Sequence, residues 1–424
     1  MPRVPSDGVS ARQVRRLLAV IALALGVITA VGLVVLWPRG TAPDLRPAGI
    51  AIDYVDATVV SSEPSTCGLL DAEAPQDCQK VTARITSGAD KGTDAVFEIP
   101  SSEFNAPDLG HGDKIVLLDN NSAAPEFRYT FADFQRTVPL LGLFVLFAIV
   151  VIAFGRWQGV RALAGLFASL AAVLVFMLPS LLRGNPALPV ALVASFLIAY
   201  IALYLAHGVN PNTTVALLGT LAALVVTAGL AALFVGLARM TGLSDEASQV
   251  LRVTAEGVDP KGLLIAGAVI GALGVLDDVT VTQVSAVSEL KEANPRLNRR
   301  GLYRSAVRIG QDHVASTVNT LVLAYVGASL PLTLLFLQGG ASWGRIAAQE
   351  VVAVEIVRTL VGSIGLVLAV PFTTALAVLA VAEPTARVKR TPDDIPPHHE
   401  PEPILVKQDA GPSWDDFRPE AKDW

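Results

Sequence analysis

Charged residues make up only 17% of this chain of 424 residues, against roughly 25% in soluble domains. Histidine and cysteine are scarcer still, five and two in all, which leaves little material for metal chemistry. No HExxH, CxxC or GxxxxGK[ST] pattern occurs, which disfavours a zinc protease or an ATP-driven pump in one chain. A formal net charge of −6 and the lack of a basic tract argue against a nucleic-acid partner. No cofactor and no metal site is expected. Aromatics are few at 6%, so the 52% of hydrophobic residues are mostly Ala, Val and Leu in long runs, with mean hydropathy +0.53.

A helix needs about 20 mostly apolar residues to cross a hydrocarbon core of about 30 Å. Eight stretches qualify, approximately Leu17–Trp37, Val138–Phe154, Leu163–Leu182, Ala187–Leu205, Thr213–Leu237, Leu263–Val284, Val314–Leu337 and Val351–Ala382. The last is too long for a straight span and is expected to tilt, kink at Pro371 or begin as an interfacial helix. The first ends in Trp37-Pro38-Arg39-Gly40 without a small-x-small site, so it reads as an uncleaved anchor rather than a signal peptide. Arg3, Arg12, Arg15 and Arg16 place the N-terminus in the cytoplasm. Counting forward, Arg156 and Arg161, the run Lys291 to Arg308, and the tail with Arg387, Lys389 and Arg390 all fall inside. Eight spans and the positive-inside rule therefore agree. The expected fold class is an α-helical polytopic membrane protein with about eight transmembrane helices and a small extracytoplasmic β-rich domain, in a bacterial plasma membrane with both termini cytoplasmic.

The division follows: residues 1–37 form the N-tail and anchor, 38–137 the outer domain, 138–382 a seven-helix membrane domain, and 383–424 a disordered cytoplasmic tail, polar and rich in Pro and acids. In the outer part, Ile50–Val60, Val81–Ile85, Val96–Ile99 and Ile115–Leu118 alternate as short strands. Ser87–Gly92 reads as a hairpin-like turn, and together these suggest a small barrel or sandwich. Cys67 and Cys78 both fall in this segment, where an oxidising compartment favours a disulfide. Closing so short a loop contributes roughly 2–3 kcal/mol. The alternative is two free thiols in a mobile loop.

Polar residues interrupt the apolar runs. In the sixth span, Gly267, Gly271 and Gly274 give a small-residue face suited to close helix contact. Asp277 and Asp278 follow, and Asp278, Thr282, Ser285 and Glu289 recur at spacings that put them on one stripe of a continuing helix. Either this pair faces a water-filled cavity, carries a proton or binds a cation, or the span ends at Leu276 and both acids sit among headgroups. In the seventh, Asp312, Ser316 and Asn319 form a similar stripe, with Asn319 also able to act as interhelical glue. Glu355 and Arg358, one turn apart in the eighth, read as a structural ion pair. Between spans six and seven, Glu289–Arg308 carries six cations against two acids around Asn294-Pro295 and reads as an interfacial cytoplasmic helix.

Three blocks resemble the YibE/F-like membrane protein family: Gly274-Val-Leu-Asp-Asp-Val-Thr-Val-Thr-Gln-Val-Ser through Asn294-Pro295, Ile309-Gly-Gln-Asp-His-Val-Ala-Ser-Thr-Val-Asn-Thr, and Glu355-Ile-Val-Arg through Pro371. The resemblance covers about residues 48 to 382. It implies that Asp278 matches the family's acid, with Asp277 a departure where an apolar residue is usual. Gln311 departs too, where a basic residue commonly precedes the acid matching Asp312. The family is loosely described as permease-like, without a settled activity.

The expected function is therefore a permease or a transporter of an unknown ion or small solute, with Asp277, Asp278, Thr282, Ser285, Asp312, Ser316 and Asn319 as candidate binding residues. The alternative is an envelope-binding scaffold or sensor that uses the β domain, with an envelope or membrane-protein partner. An intramembrane aspartyl protease is disfavoured, because Gly274-Val-Leu-Asp277 is not GxGD and no nucleophile–base pair is evident. No enzymatic activity is expected.

Overall fold

The computed structural model describes residues 11–40, 52–67, 76–100, 107–124, 127–244, 246–255, 257–340 and 342–381. The N-tail arginine Arg3 and the proposed C-terminal tail lie outside them. A first helix, α1 (Ala11–Val35), leads into five strands: β1 (Ile52–Cys67), β2 (Gln76–Ile85), β3 (Asp94–Pro100), β4 (Lys114–Asn120) and β5 (Tyr129–Phe134). Among the described residues, helices then follow without further strands: α2 (Thr137–Ala171), a π-helical stretch (Ala172–Met177), α3 (Leu178–Leu182), α4 (Ala187–His207), α5 (Pro211–Leu237), α6 (Glu246–Thr254), α7 (Pro260–Ala293), α8 (Arg299–Ala328), α9 (Leu330–Gln338), α10 (Trp343–Ala347) and α11 (Glu350–Ala380).

The strands form one antiparallel sheet in the order β3-β2-β1-β4-β5, curved into a half-barrel. β1 serves two neighbours: Ile52–Thr58 pair with β4, and Ala57–Cys67 pair with β2. A register shift between Val59 and Ser61 marks the changeover, where a bulge bends the strand and increases its twist. Strand alternation sends Val55, Ala57, Val59, Val81, Ala83, Ile85, Phe97, Ile115 and Leu117 to one shared core. The Ser87–Gly92 turn is present, with Gly88 and Gly92 both at positive φ, a conformation that side-chain-bearing residues avoid. β5 was not expected from the sequence. Its aromatics pack at positions 129, 131 and 134, a spacing that departs from strict alternation.

Charge draws the ends of the sheet together. Arg128 donates to buried Asp119 at 2.7 Å and 3.1 Å and also to Asp90, and the Tyr129 hydroxyl donates to Asp90 at 2.8 Å. Asp90 sits in the β2–β3 turn and Arg128 just before β5, so this knot links both sheet edges. The Tyr129 hydroxyl, with Arg128 adding to it, holds the Asp90 carboxyl below the ordinary range. Burial first, then the Asp90 hydrogen bond, pushes Tyr129 up to about 12. A depressed acid contributes stability above its unfolded value of about 3.9 and loses it as pH falls through the folded one. The raised phenol contributes below about 10 and loses its contribution as pH climbs towards 12. Hydrogen exchange of β4 and β5 in the full chain, corrected for intrinsic rates, is therefore expected to be slowest between these limits. Arg128→Ala should speed it at neutral pH, since a hydrogen bond to a charged group contributes about 1.5–3 kcal/mol.

Cys67 and Cys78 lie on adjacent strands. Cys78 stands opposite Ser65 and Cys67 opposite Gln76, two register positions apart. The Cys67 side chain is outside the described residues.

Among the described residues, six helical stretches are long and apolar enough to cross a membrane, and α8 with α9 forms a seventh candidate bent by 59°. The 46-residue stretch Thr137–Leu182 takes in two of the expected spans. It is broken at Arg156, whose φ of 51° and ψ of −129° are not helical. The Phe144 and Phe167 rings meet edge-on at 5.7 Å, although 23 residues of unbroken helix would hold them about 34 Å apart. The chain therefore reverses at Arg156 and returns alongside itself. The interfacial helix expected over Glu289–Arg308 does not form. α7 continues to Ala293, Asn298 caps α8 by accepting from the Gly301 N–H at 2.7 Å, and only residues 294–298 connect them. α11 runs as one helix from Glu350 to Ala380 with Pro371 inside it.

The interior is built by α4, α5, α7 and α11, whose buried residues form the main apolar cluster with the π-helical stretch. α1 docks on this core: Tyr200 donates to the Ala22 carbonyl at 2.5 Å and Ser180 to the Leu36 carbonyl at 2.8 Å. Where α5 meets α11, Gly219 lies under Thr373 and Gly365 under Thr227. Each glycine leaves no room for a methyl group, so the two helices approach closely at two levels.

Candidate functional site

α7 opens with Asp259 as its cap, the side chain accepting from the Lys261 N–H at 3.1 Å, and Pro260 in the first turn. From there it runs unbroken through Asp277 and Asp278. The helix therefore does not end at Leu276. α8 returns beside it in the opposite direction, and three contacts at successive levels show this. Gly310 lies against the Gln283 side chain, Asp278 faces His313, and Gly271 lies under the Tyr325 hydroxyl.

Asp278 Oδ2 is 3.7 Å from His313 Nε2, an ion-pair distance when the imidazole is protonated and too long for a hydrogen bond. Asp277, next along α7, is partly buried. Its Oδ1 is shielded from solvent and has no hydrogen-bond partner, and the same holds for His313 Nε2. Unpartnered, shielded polar atoms are uncommon because each forfeits its hydration. Here two titratable side chains, Asp277 and His313, share that condition across one helix junction, with the exposed Asp278 beside them. They can take up, pass on or release a proton, or hold a cation between carboxylates. Among the described residues, no three of His, Cys, Asp and Glu gather closely enough to hold a metal ion.

The remaining sequence-selected residues are distributed otherwise. Thr282 is exposed, and its hydroxyl is spent on its own helix, at 2.9 Å from the Asp278 carbonyl and 3.1 Å from that of Val279. Ser285 lines a cavity of about 470 Å³ with Arg15, His207, Asn210 and Thr213. Asp312, Ser316 and Asn319 are all exposed. Both stripes thus lie on outward faces of α7 and α8 rather than inside the bundle. A charged side chain at the centre of a bilayer costs about 2.5–3.5 kcal/mol on the insertion scale, so such a face calls for a polar covering.

Glu355 and Arg358 pair at 2.7 Å. Arg358 Nη2 also lies 3.3 Å from where a Cβ on Gly267 would stand, and the Tyr325 hydroxyl 2.8 Å from one on Gly271. Two glycines of the small-residue face therefore receive Arg358 and Tyr325. Gly274 has nothing within 4 Å.

Sequence reasoning passed over His313 and a buried polar seam. Thr220 and Thr280 share a hydrogen bond at 2.7 Å between α5 and α7. Gln283 Nε2 donates to the Thr374 hydroxyl at 2.7 Å and to the Ala306 carbonyl at 2.8 Å, joining α7 to α11 and α8. All of Thr220, Thr280, Gln283 and Thr374 are buried. The available signal was position: Thr280 and Gln283 lie inside the same polar run as Asp278, on its other face, and His313 follows Asp312 directly.

A family model described as YibE/F-like protein matches residues 143–383, more than half of the chain and all of the helices that build this junction. No curated protein matches the chain, and no solved structure does.

Proposed function

The chain belongs to the YibE/F-like family, and from that premise we propose that it is a multi-pass plasma-membrane permease that moves an ion or small solute along the α7–α8 junction. One observation carries the reading: Asp278 and His313 oppose each other at 3.7 Å, beside a shielded and unpartnered Asp277 oxygen. A group pair of this kind exchanges protons or a cation with little rearrangement, and intramembrane ionisable residues mark such pathways. Counting the reversal at Arg156 as two crossings and the bent α8–α9 pair as one brings the number of spans to eight, with both termini cytoplasmic. On that topology Ser285, beside Arg15 in the polar cavity, marks the cytoplasmic end. Asp278 lies seven residues further in, about 10 Å along the helix. The half-barrel stands outside, closed by a Cys67–Cys78 disulfide between β1 and β2.

The test is flux in proteoliposomes, with a pH dye inside and a panel of ions outside. The wild-type chain is expected to dissipate at least one gradient, and Asp278→Asn to abolish that flux while the protein still reconstitutes. His313→Gln should reduce the flux and change its pH dependence. Full wild-type flux in Asp278→Asn, or none under any gradient in the wild type, overturns the reading.

A second reading, a membrane-anchored scaffold or sensor for an envelope component, is favoured by the outer face of the half-barrel. Tyr54 stands there 71% exposed opposite Leu118, an aromatic contact point on the outer face. Residues 1–137 alone, one anchor and the β domain, would then restore the activity of a deletion strain; under the transport reading they would not.

A further inference from the structure

We propose that two copies of this chain pair through the outward face of α8, and that the pathway of the transport reading, on which this inference in part rests, is completed only between them. Every buried residue of α8 lies in its first half, at Leu302, Ala306 and Gly310. From Gln311 to Ala328 none is buried, and Asp312, Ser316, Asn319 and Thr320 are exposed on one side. α8 is also not apolar enough to count as a spanning helix without α9. Hydrocarbon cannot satisfy an amide, a hydroxyl and a carboxylate on one face, so this face is covered by protein. The Asp278–His313 pair fixes its depth, since Asp312 and His313 are level with the acids of α7.

The occupant is read from the order of residues along the face. Arg304, Arg308 and Asp312 recur every four residues, all exposed, and neither Arg308 nor Asp312 has an ion-pair partner among the described residues. A twofold axis along the membrane normal lays the two α8 helices side by side in parallel. Arg308 of one copy then comes beside Asp312 of the other, one turn away, and the reverse pair forms by symmetry. Above this level Ser316, Thr320, Ala324 and Ala328 again recur every four residues, small enough for close approach in a bilayer. Asn319 meets its own copy near the axis, where each amide both donates and accepts. Asp278 and Thr282, outward on the neighbouring helix, flank this contact and face the space between the copies.

The experiment is cysteine cross-linking of the full chain in native membranes, with the wild type setting the background from Cys67 and Cys78. Asn319→Cys and Ser316→Cys are expected to give a covalent dimer on oxidation. Val150→Cys, 58% exposed on α2, should give none. Arg308→Asp should weaken the Asn319→Cys cross-link several-fold, and adding Asp312→Arg should restore it. Equal cross-linking at positions 319 and 150, or none at 316 and 319, overturns the interface. A specific dimer without flux in liposomes upholds the interface and removes the transport reading; flux without the cross-link does the opposite.

Discussion

Gly365→Val is expected to prevent the chain from accumulating as folded protein. Gly365 on α11 lies under the Thr227 hydroxyl of α5 with no space for a Cβ. Thr227 is fully buried, and its hydroxyl is committed to the Ala223 carbonyl at 2.9 Å. It can move aside only by giving up that bond or by pushing α5 away. Overpacking a well-filled core costs about 1–3 kcal/mol even for added methylenes at tolerant sites, and this site has a reciprocal contact eight residues away, Gly219 under Thr373. Displacing the helices at one level therefore disturbs the other. Gly219→Val should act in the same way, and the double variant should be worse than either. Monodispersity on size-exclusion chromatography after detergent extraction, with the melting temperature of whatever survives, is the check. A double variant that elutes and melts like the wild type would show that α5 and α11 are not held at this distance.

The second large effect is expected at Gln283, and it bears on function. Its amide ties three helices of the junction together, reaching Thr374 on α11 and the Ala306 carbonyl on α8 from its own place on α7. Gly310 on α8 rests against the same side chain, so Gln283 also sets how closely α8 approaches. His313 lies three residues beyond Gly310, one helical turn along α8. Gln283→Leu keeps the bulk but removes the donor to the Ala306 carbonyl and to the Thr374 hydroxyl, which retains only its bond to the Val370 carbonyl at 2.7 Å, at about 0.5–1.5 kcal/mol for each hydrogen bond lost. The melting temperature should fall clearly. Under the transport reading the flux in liposomes should also fall, with its pH profile shifted, because Asp278 and His313 no longer hold their spacing. Gln283→Glu, which keeps the shape and loses the donor, should behave as Gln283→Leu does; Gln283→Asn, shorter by one methylene, should retain only part of the donor's role. Loss of stability with an unchanged pH profile would make Gln283 purely structural.

How much of this was legible beforehand differs from element to element. Apolar runs located α1, α4, α5, α7 and α11, because length and hydropathy are properties of the segment itself, whereas Val314–Leu337 straddles the bend between α8 and α9. The reversal at Arg156 divides Thr137–Leu182 where a break between two runs was read. The half-barrel's first four strands were visible as alternation, whereas β5 was hidden by the irregular spacing of its aromatics. The polar stripes were recognised as stripes, but their direction was not. Successive residues of a helix point about 100° apart, so Asp312 and His313, adjacent in sequence, face outward and towards Asp278 respectively. For the same reason Gln283 escaped notice beside Thr282.

The amino-acid sequence by itself determined where most of the apolar helices and the first four strands run, which side chains share a face, and the sign of charge at each connection. These follow from local period, composition and the positive-inside asymmetry, none of which requires a neighbour. Only the tertiary structure decided what each face meets. It set His313 against Asp278, Gln283 between α11 and α8, the glycines of α5 and α11 under opposing threonines, and Asn319 on the outside. A helical stripe states that its residues lie together; the partner that covers it comes from elsewhere in the chain, or from another copy.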